Sequence, residues 1–238
     1  MSEWALKRFW AEVRTVPVSG GWSVELDGRP IRTPGRDALT LPTPALADAI
    51  AAEWSAQEGN VRPESMPCTR AANSAIDKVT AKVAGVADLL LGYGETDLIC
   101  YRAESPEELT QLQAQAWDPL LDWARSALGA PLVVTAGIVP VPQPRSALGA
   151  LRARLEEQDA FAMTALHDLV TLSGSLIIGL AAQGGVLADE ELWIRSRVDE
   201  DWQESQWGRD AEAAEAASAR RDAFLQAARF HRLSRPSA

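Results

Sequence analysis

The chain has 238 residues, 47% hydrophobic and 24% charged, with a formal net charge of −10. That length holds one large domain or two small ones, and that balance belongs to a folded globular chain. The negative surplus argues against an unspecific nucleic-acid or anionic-membrane binder, since each needs a basic field. The two cysteines, Cys68 and Cys100, and two histidines form no CxxC and no Cys/His cluster, so neither a zinc site nor a disulfide framework is expected. So few thiols fit a reducing compartment, and a cytoplasmic location is the expectation. The start, MSEWALKRFW, lacks an apolar signal core, and the longest apolar stretch, 169–182, is too short to span a bilayer. No secretion signal, presequence or membrane span is expected.

The first elements read as strands. Glu12 to Val18, Trp22 to Leu26 and Arg29 to Thr33 form a predicted β-meander, with Gly20-Gly21 and Asp27-Gly28 as turns. Asp-Gly suits a type I′ turn, and Pro30 belongs on an edge because it cannot donate to the ladder. A further short strand is predicted at Ala38 to Leu41. Thr43-Pro44 then reads as a helix start, with Leu46, Ile50 and Trp54 on one face and Gly59 as the stop. A second helical stretch begins near Thr69 and runs, with a break around Gly85, to Leu91. Gly92-Tyr93-Gly94 interrupts, and Asp97 to Arg102 reads as a short strand.

From Ser105 the pattern turns helical. Ser105 reads as an N-cap with Pro106 at the first helical position and Glu107-Glu108 in the first turn, in a helix ending at Gly129. Residues 131–139 read as extended. Further helices are predicted over 145–157, 160–182, 188–206 and 209–231, and the tail Ser234 to Ala238 is expected to fray. The stretch 160–182 carries Leu166, Leu169, Val170, Ser173, Ile177 and Leu180 on one stripe, which makes it the expected central helix. The fold class is α+β: a small β-rich N-terminal domain over 1–65, then a mainly helical domain over 66–238, with the boundary falling between 60 and 105.

The search for chemistry finds no active-site pattern. Gly92-Tyr93-Gly94 lacks the third glycine and the strand-turn-helix setting of a dinucleotide site. Ser173 sits in no GxSxG and reads as a small packed residue. His167 and Asp168 are neighbours on a helix, point about 100° apart, and are not expected to face each other. No catalytic residue, metal ligand or cofactor is expected. Residues 189–215 hold ten carboxylates and three arginines. Arg197 is placed to pair with Asp201 at i,i+4, and Ile194, Val198 and Trp202 fall on one projected stripe. Such a segment reads either as a solvated amphipathic face or as an acidic binding face with aromatic anchors. Nine tryptophans, more than phenylalanine and tyrosine combined, leave the same choice between core and interface.

Nine pieces in order resemble the ATP-twelve family of assembly chaperones. They are Lys7 to Trp10 with Val13, Leu26 to Pro34, Leu39 to Thr43, Ile50 to Trp54 with Gln57, Met66 to Asp77, Thr96 to Ala103, Gln113 with Trp117 to Trp123, Ser173 to Ala181, and Val198 to Gln203 leading into Trp207 to Ala213. The compact chain is similar to the bacterial branch. The resemblance implies a non-catalytic chaperone that binds the free α subunit of the F-type ATP synthase head, covers the surface meant for the β subunit, and hands it over during assembly. It implies no ATP use by the chaperone, and a monomer is the expected state. The family's acidic position near its Trp-Gly motif maps onto Glu212, with Asp210 as the neighbouring register.

The implied partner-binding residues are therefore Glu200, Trp202, Trp207, Gly208, Asp210 and Glu212. Asp210 and Glu212 read equally well as caps of the last helix. Two other function classes stay open on the residues alone: a hydrolase using carboxylates of 189–215, and a general protein-binding scaffold without a dedicated client.

Overall fold

The computed structural model describes residues 7–137, 139–208 and 210–236. They group into two compact units. The first holds the described residues of Met1–Lys82, Asp159–Ala165 and Arg229–Ala238; the second holds those of Val83–Gln158 and Leu166–Ala228. The architecture is α+β, with the β-rich part at the N-terminal end and a larger helical remainder.

In the first unit, β1 (Val13–Val18), β2 (Gly21–Leu26) and β3 (Arg29–Pro30) form an antiparallel sheet in that order. Val13 pairs with Leu26 and Val18 with Gly21, so Val24 and Leu26 turn inward together. Asp27 and Gly28 both take positive φ, as the type I′ turn requires. The Asp27 carboxylate also accepts from Ala11 N at 3.0 Å and Glu12 N at 2.8 Å, which ties the incoming chain to the turn. Pro30 lies on the edge strand, as expected. That strand ends at Pro30 rather than Thr33, and 38–41 contributes only isolated bridges, Arg32 with Ala38 and Trp22 with Leu41.

α1 (Pro44–Ser55) starts where the Thr43 hydroxyl accepts from Leu46 N at 3.1 Å. It ends at Ser55, before Gly59. α2 (Pro67–Ser74) is capped from a distance: Glu53 of α1 accepts from Cys68 N at 2.7 Å, Thr69 N at 2.8 Å and the Thr69 hydroxyl at 2.6 Å. One carboxylate thus satisfies the open donors of a helix start in a partly buried place. A π turn, Ala75–Val79, follows. Val24, Leu39, Leu41, Leu46, Ile50, Cys68, Ala72 and Phe230 form the core of this unit. Phe161 stacks on Phe230 with ring centroids 6.1 Å apart. Burial pushes the Cys68 thiol up to about 12, so it packs as a small apolar group.

The second unit contains α3 (Val83–Glu95), α4 (Glu107–Ala127), α5 (Arg145–Glu156), the second half of α6 (Ala160–Ser173), α7 (Leu176–Gln183), α8 (Asp189–Arg195), α9 (Val198–Trp207) and most of α10 (Ala211–Ser234). β4 (Tyr101–Arg102) pairs in parallel with β5 (Thr135–Ala136). Among the described residues no helix is long and apolar enough to cross a membrane.

Several expectations need correction here. The helix break lies at 80–82, not Gly85, and Gly92 to Gly94 stays inside α3. Gly94 is small because α3 packs closely there: a Cβ would come within 3.1 Å of Leu176 and 3.2 Å of Leu151. Ser105 does not cap α4. Pro106 is itself the extended cap residue, and its carbonyl accepts the first helical bond, from Thr110 N at 3.2 Å. The expected single helix over 160–182 is two helices, because the Ser175 hydroxyl accepts from Ile178 N at 3.0 Å and starts α7 afresh. The stretch 188–206 likewise divides at Ser196-Arg197. Ser234 is buried and ends α10, while Ser237 and Ala238 lie outside the described residues.

Asp97 explains why Leu98–Cys100 is a 3-10 turn rather than a strand. Its fully buried carboxylate accepts from Ile99 N at 3.3 Å, capping that turn, and from Ile177 N at 3.1 Å at the start of α7. Burial raises its pKa from 3.8 to about 6, against the lowering effect of hydrogen bonds from Ser175 and the backbone of Ile177, Ile99 and Leu176. A raised carboxyl binds protons more readily folded than unfolded. Its stabilising contribution is therefore fully present below the unfolded value and is lost as pH rises through about 6. Urea unfolding at pH 4 to 7 is expected to show this loss in the native chain and not in Asp97→Asn. Asp97→Ala, which leaves buried N–H groups unpaired, is expected to cost about 1–3 kcal/mol.

Candidate functional site

The acidic segment folds as α8, α9 and the start of α10. Asp189, Glu190 and Glu191 occupy the first turn of α8, and Asp199, Glu200 and Asp201 that of α9, where carboxylates complement the open N–H groups. The joint between the two helices is fixed on α4. The Trp117 indole donates to the Arg195 carbonyl at 2.7 Å, and the Arg195 guanidinium donates to the Ala116 carbonyl. Gln113 donates to Asp199 at 2.7 Å. The Trp117 ring is fully buried and carries the Arg102 guanidinium 5.1 Å from its centroid. Arg102 in turn pairs with Asp118 at 2.8 Å. Burial lowers the Arg102 pKa, and Asp118 opposes that shift.

On α10, the Arg221 guanidinium meets both oxygens of Glu190, at 2.6 and 2.7 Å, and Phe224 packs on Trp193 with centroids 5.7 Å apart. These contacts hold α8 against α10, while α9 packs on α4. Between them lies a groove of about 240 Å³, bordered by Trp193, Ile194, Arg197, Asp201, Glu204 and the 214-217-218-221 face of α10.

The six expected partner residues lie along this region. Glu200 is exposed and pairs with Arg197 at 3.3 Å. Trp202 is half-buried. Trp207 ends α9 with 80% of its surface exposed, an unusual state for so large a ring. Gly208 has φ +90° and ψ 164°, a region essentially closed to residues with a Cβ, so the chain needs glycine there to turn from α9 to α10. Asp210 caps α10, accepting from Ala213 N at 2.8 Å. Glu212 is exposed in the first helical turn.

The expected Ile194-Val198-Trp202 stripe does not form one face. The chain breaks between α8 and α9, which leaves Ile194 54% exposed at the groove. The Arg197–Asp201 pair is present at 3.8 Å, but Arg197 also faces Glu204 at 3.5 Å. The α10 side of the groove escaped the sequence reading. Its signal was Ala214, Ala217, Ser218 and Arg221, spaced i, i+3, i+4, i+7 within the helix predicted over 209–231.

His167 and Asp168 do meet, contrary to expectation. Their side chains swing together at 3.1 Å, and the hydrogen bond to Asp168 raises the His167 pKa. Ser173 is buried and donates to Leu169 O at 2.7 Å, a packing role. Among the described residues no group of three or more His, Cys, Asp or Glu is placed to hold a metal ion.

Residues 7–125 match the family model described as ATP12 chaperone protein. The chain belongs to the ATP12 chaperone family. It is similar to Atp12 from Paracoccus denitrificans, whose crystal structure superposes with a TM-score of 0.94 at 51% identity, covering 96% of this chain and 98% of that one. A solved structure of an aspartate-to-lysine mutant of P. denitrificans Atp12p superposes with a TM-score of 0.95 at 51% identity, covering 98% of this chain and 100% of that one. The chain is also 26% identical over 216 residues to Protein atp12, mitochondrial, of Schizosaccharomyces pombe, covering 86% of this chain and 74% of that protein. As a member of the ATP12 family, the chain is an assembly chaperone of the F1-ATPase.

Several pieces that carried the family resemblance meet in the second unit. Arg102, Gln113, Trp117, Asp118 and Asp199 form the polar scaffold under α8 and α9. Gly208 has its own backbone reason. A Cβ there would meet nothing within 4 Å, so Gly208→Ala is expected to cost about 1–3 kcal/mol through backbone strain alone, measured by thermal unfolding.

Proposed function

We propose that this ATP12-family chaperone binds the free α subunit of the F-type ATP synthase head, as a monomer in the cytoplasm, and keeps it competent to join β subunits. It does so by binding alone, without catalysis. The contact includes Glu200, Trp202, Trp207, Gly208, Asp210 and Glu212. The observation that carries this reading is Trp207, 80% exposed at the end of a helix rich in carboxylates. A tryptophan left in water next to acidic groups is an anchor waiting for an apolar, basic surface. An unpartnered subunit interface is such a surface, and covering it suppresses aggregation.

Carboxylates at the rim chiefly set capture rate and partner choice. Four of the region's acidic groups, Glu190, Asp199, Glu200 and Asp210, are engaged with arginine, glutamine or the backbone, which suits a fixed electrostatic face better than proton transfer. The test is size-exclusion chromatography with purified α subunit and, separately, β subunit. Co-elution with α alone is the expected result, and no complex with α refutes the reading. Glu212→Lys is expected to weaken capture at low salt while the chain stays folded, because Glu212 is exposed and the reversed charge in the first turn of α10 costs only about 1 kcal/mol. Unchanged capture at low salt removes Glu212 from the contact.

A further inference from the structure

We propose that the groove between α9 and α10 receives an amphipathic segment of the client, one that places an arginine against Asp201 and Glu204 and an adjacent apolar side chain against Ile194 and the alanines of α10. The inference rests on the client being the α subunit and assigns the chemistry of the segment it presents.

The first reason is charge. Glu200, Asp201 and Glu204 share one cation, Arg197, at 3.3, 3.8 and 3.5 Å. The other arginine at the groove, Arg221, is already taken by both oxygens of Glu190. Among the described residues, two units of negative charge therefore remain uncompensated around Arg197. The Asp201 carboxyl sits among these charges. Its pKa is raised, first by partial burial, with Glu204 and Glu200 adding to the shift and Arg197 opposing it. A second cation brought to this rim relieves like-charge repulsion already present in the free protein.

The second reason is the shape and polarity of the walls. Ile194 is 54% exposed and faces the groove together with Trp193, Ala214 and Ala217. An ammonium is strongly hydrated and resists such a setting. A guanidinium is weakly hydrated, planar, and able to bond two carboxylates at once. Small α10 residues let a partner backbone approach, and the apolar side chain beside the arginine finds Ile194. A volume of about 240 Å³ suits a few side chains from one segment.

The test uses the full chain and purified α subunit. Affinity is measured by calorimetry at low and high salt for the native protein, for the double variant Asp201→Asn with Glu204→Gln, and for Ile194→Ser. Asp201 and Ile194 are exposed and Glu204 is half-buried, so these variants are expected to keep their fold, checked by circular dichroism and melting. The double variant is expected to bind about tenfold more weakly or worse at low salt, with a shallower salt dependence. Ile194→Ser is expected to weaken binding several-fold with the salt dependence unchanged.

A position test is independent of these losses. Both native cysteines are buried, so Ser218→Cys takes a photo-crosslinking maleimide selectively. The crosslinked client peptide is expected to contain arginine next to an apolar residue. If the native chain binds α but the variants bind equally well and Ser218 yields no crosslink, the groove assignment is overturned and the client assignment stands. If the native chain does not bind α, the client assignment falls and takes the groove's occupant with it.

Discussion

The acidic helices depend on one hydrogen bond made under them. The Trp117 indole donates to the Arg195 carbonyl, an acceptor left open where α8 ends. A helix end has no internal partner for its last carbonyls, so a buried donor from another helix fixes its position. Trp117 is fully buried, which shields the bond from water competition. Arg102 over the ring and Gln113 on Asp199 extend the same anchor. The short α8 has too few turns to hold a direction by itself, so this anchor and the contacts of Glu190 and Trp193 with α10 set it together.

This anchor turns a local excess of charge into a fixed surface. Free carboxylates on a flexible segment would spread apart and be screened by salt. Held at the first turns of two short helices, Glu190, Glu200 and Asp201 keep their spacing, and Glu204 joins them one turn later. The cost is repulsion among three carboxylates crowding Arg197, which adds to the partial burial that chiefly raises the Asp201 pKa. On the proposed reading, a cation supplied by the client would relieve that repulsion.

The fold was legible in the sequence wherever one residue type answers one local need. Asp27-Gly28 marks its turn by positive φ, and Thr43-Pro44 marks a helix start. The sequence was silent where the decisive partner is distant. Glu53 caps α2 from fifteen residues away, and Asp97 holds the start of α7 from eighty. The same silence hid the division of 160–182, since Ser175 in an apolar run looks like a small packed residue until its hydroxyl is seen to accept from Ile178 N. At the candidate site the acidic composition and the tryptophans were readable, and so was the option that Asp210 caps a helix, which it does. The groove was not readable, because it arises from two elements standing apart and a projection onto one continuous helix erases the gap.

A groove of this size also bounds what the surface can do. Stable complexes bury about 1,200–2,000 Å² in all, far more than a few side chains in one cleft supply. On the proposed contact, the groove and the exposed Trp207 would be the hot spots within a wider surface whose remaining area mainly excludes water. That division suits a chaperone that must let go. Charge steering raises the rate of encounter without deepening the bound state in proportion, and affinity concentrated in a few anchors falls steeply once those anchors are displaced. On the proposed contact, a subunit offering the client a better-packed interface would need to compete at only a few positions, not along the whole covered surface.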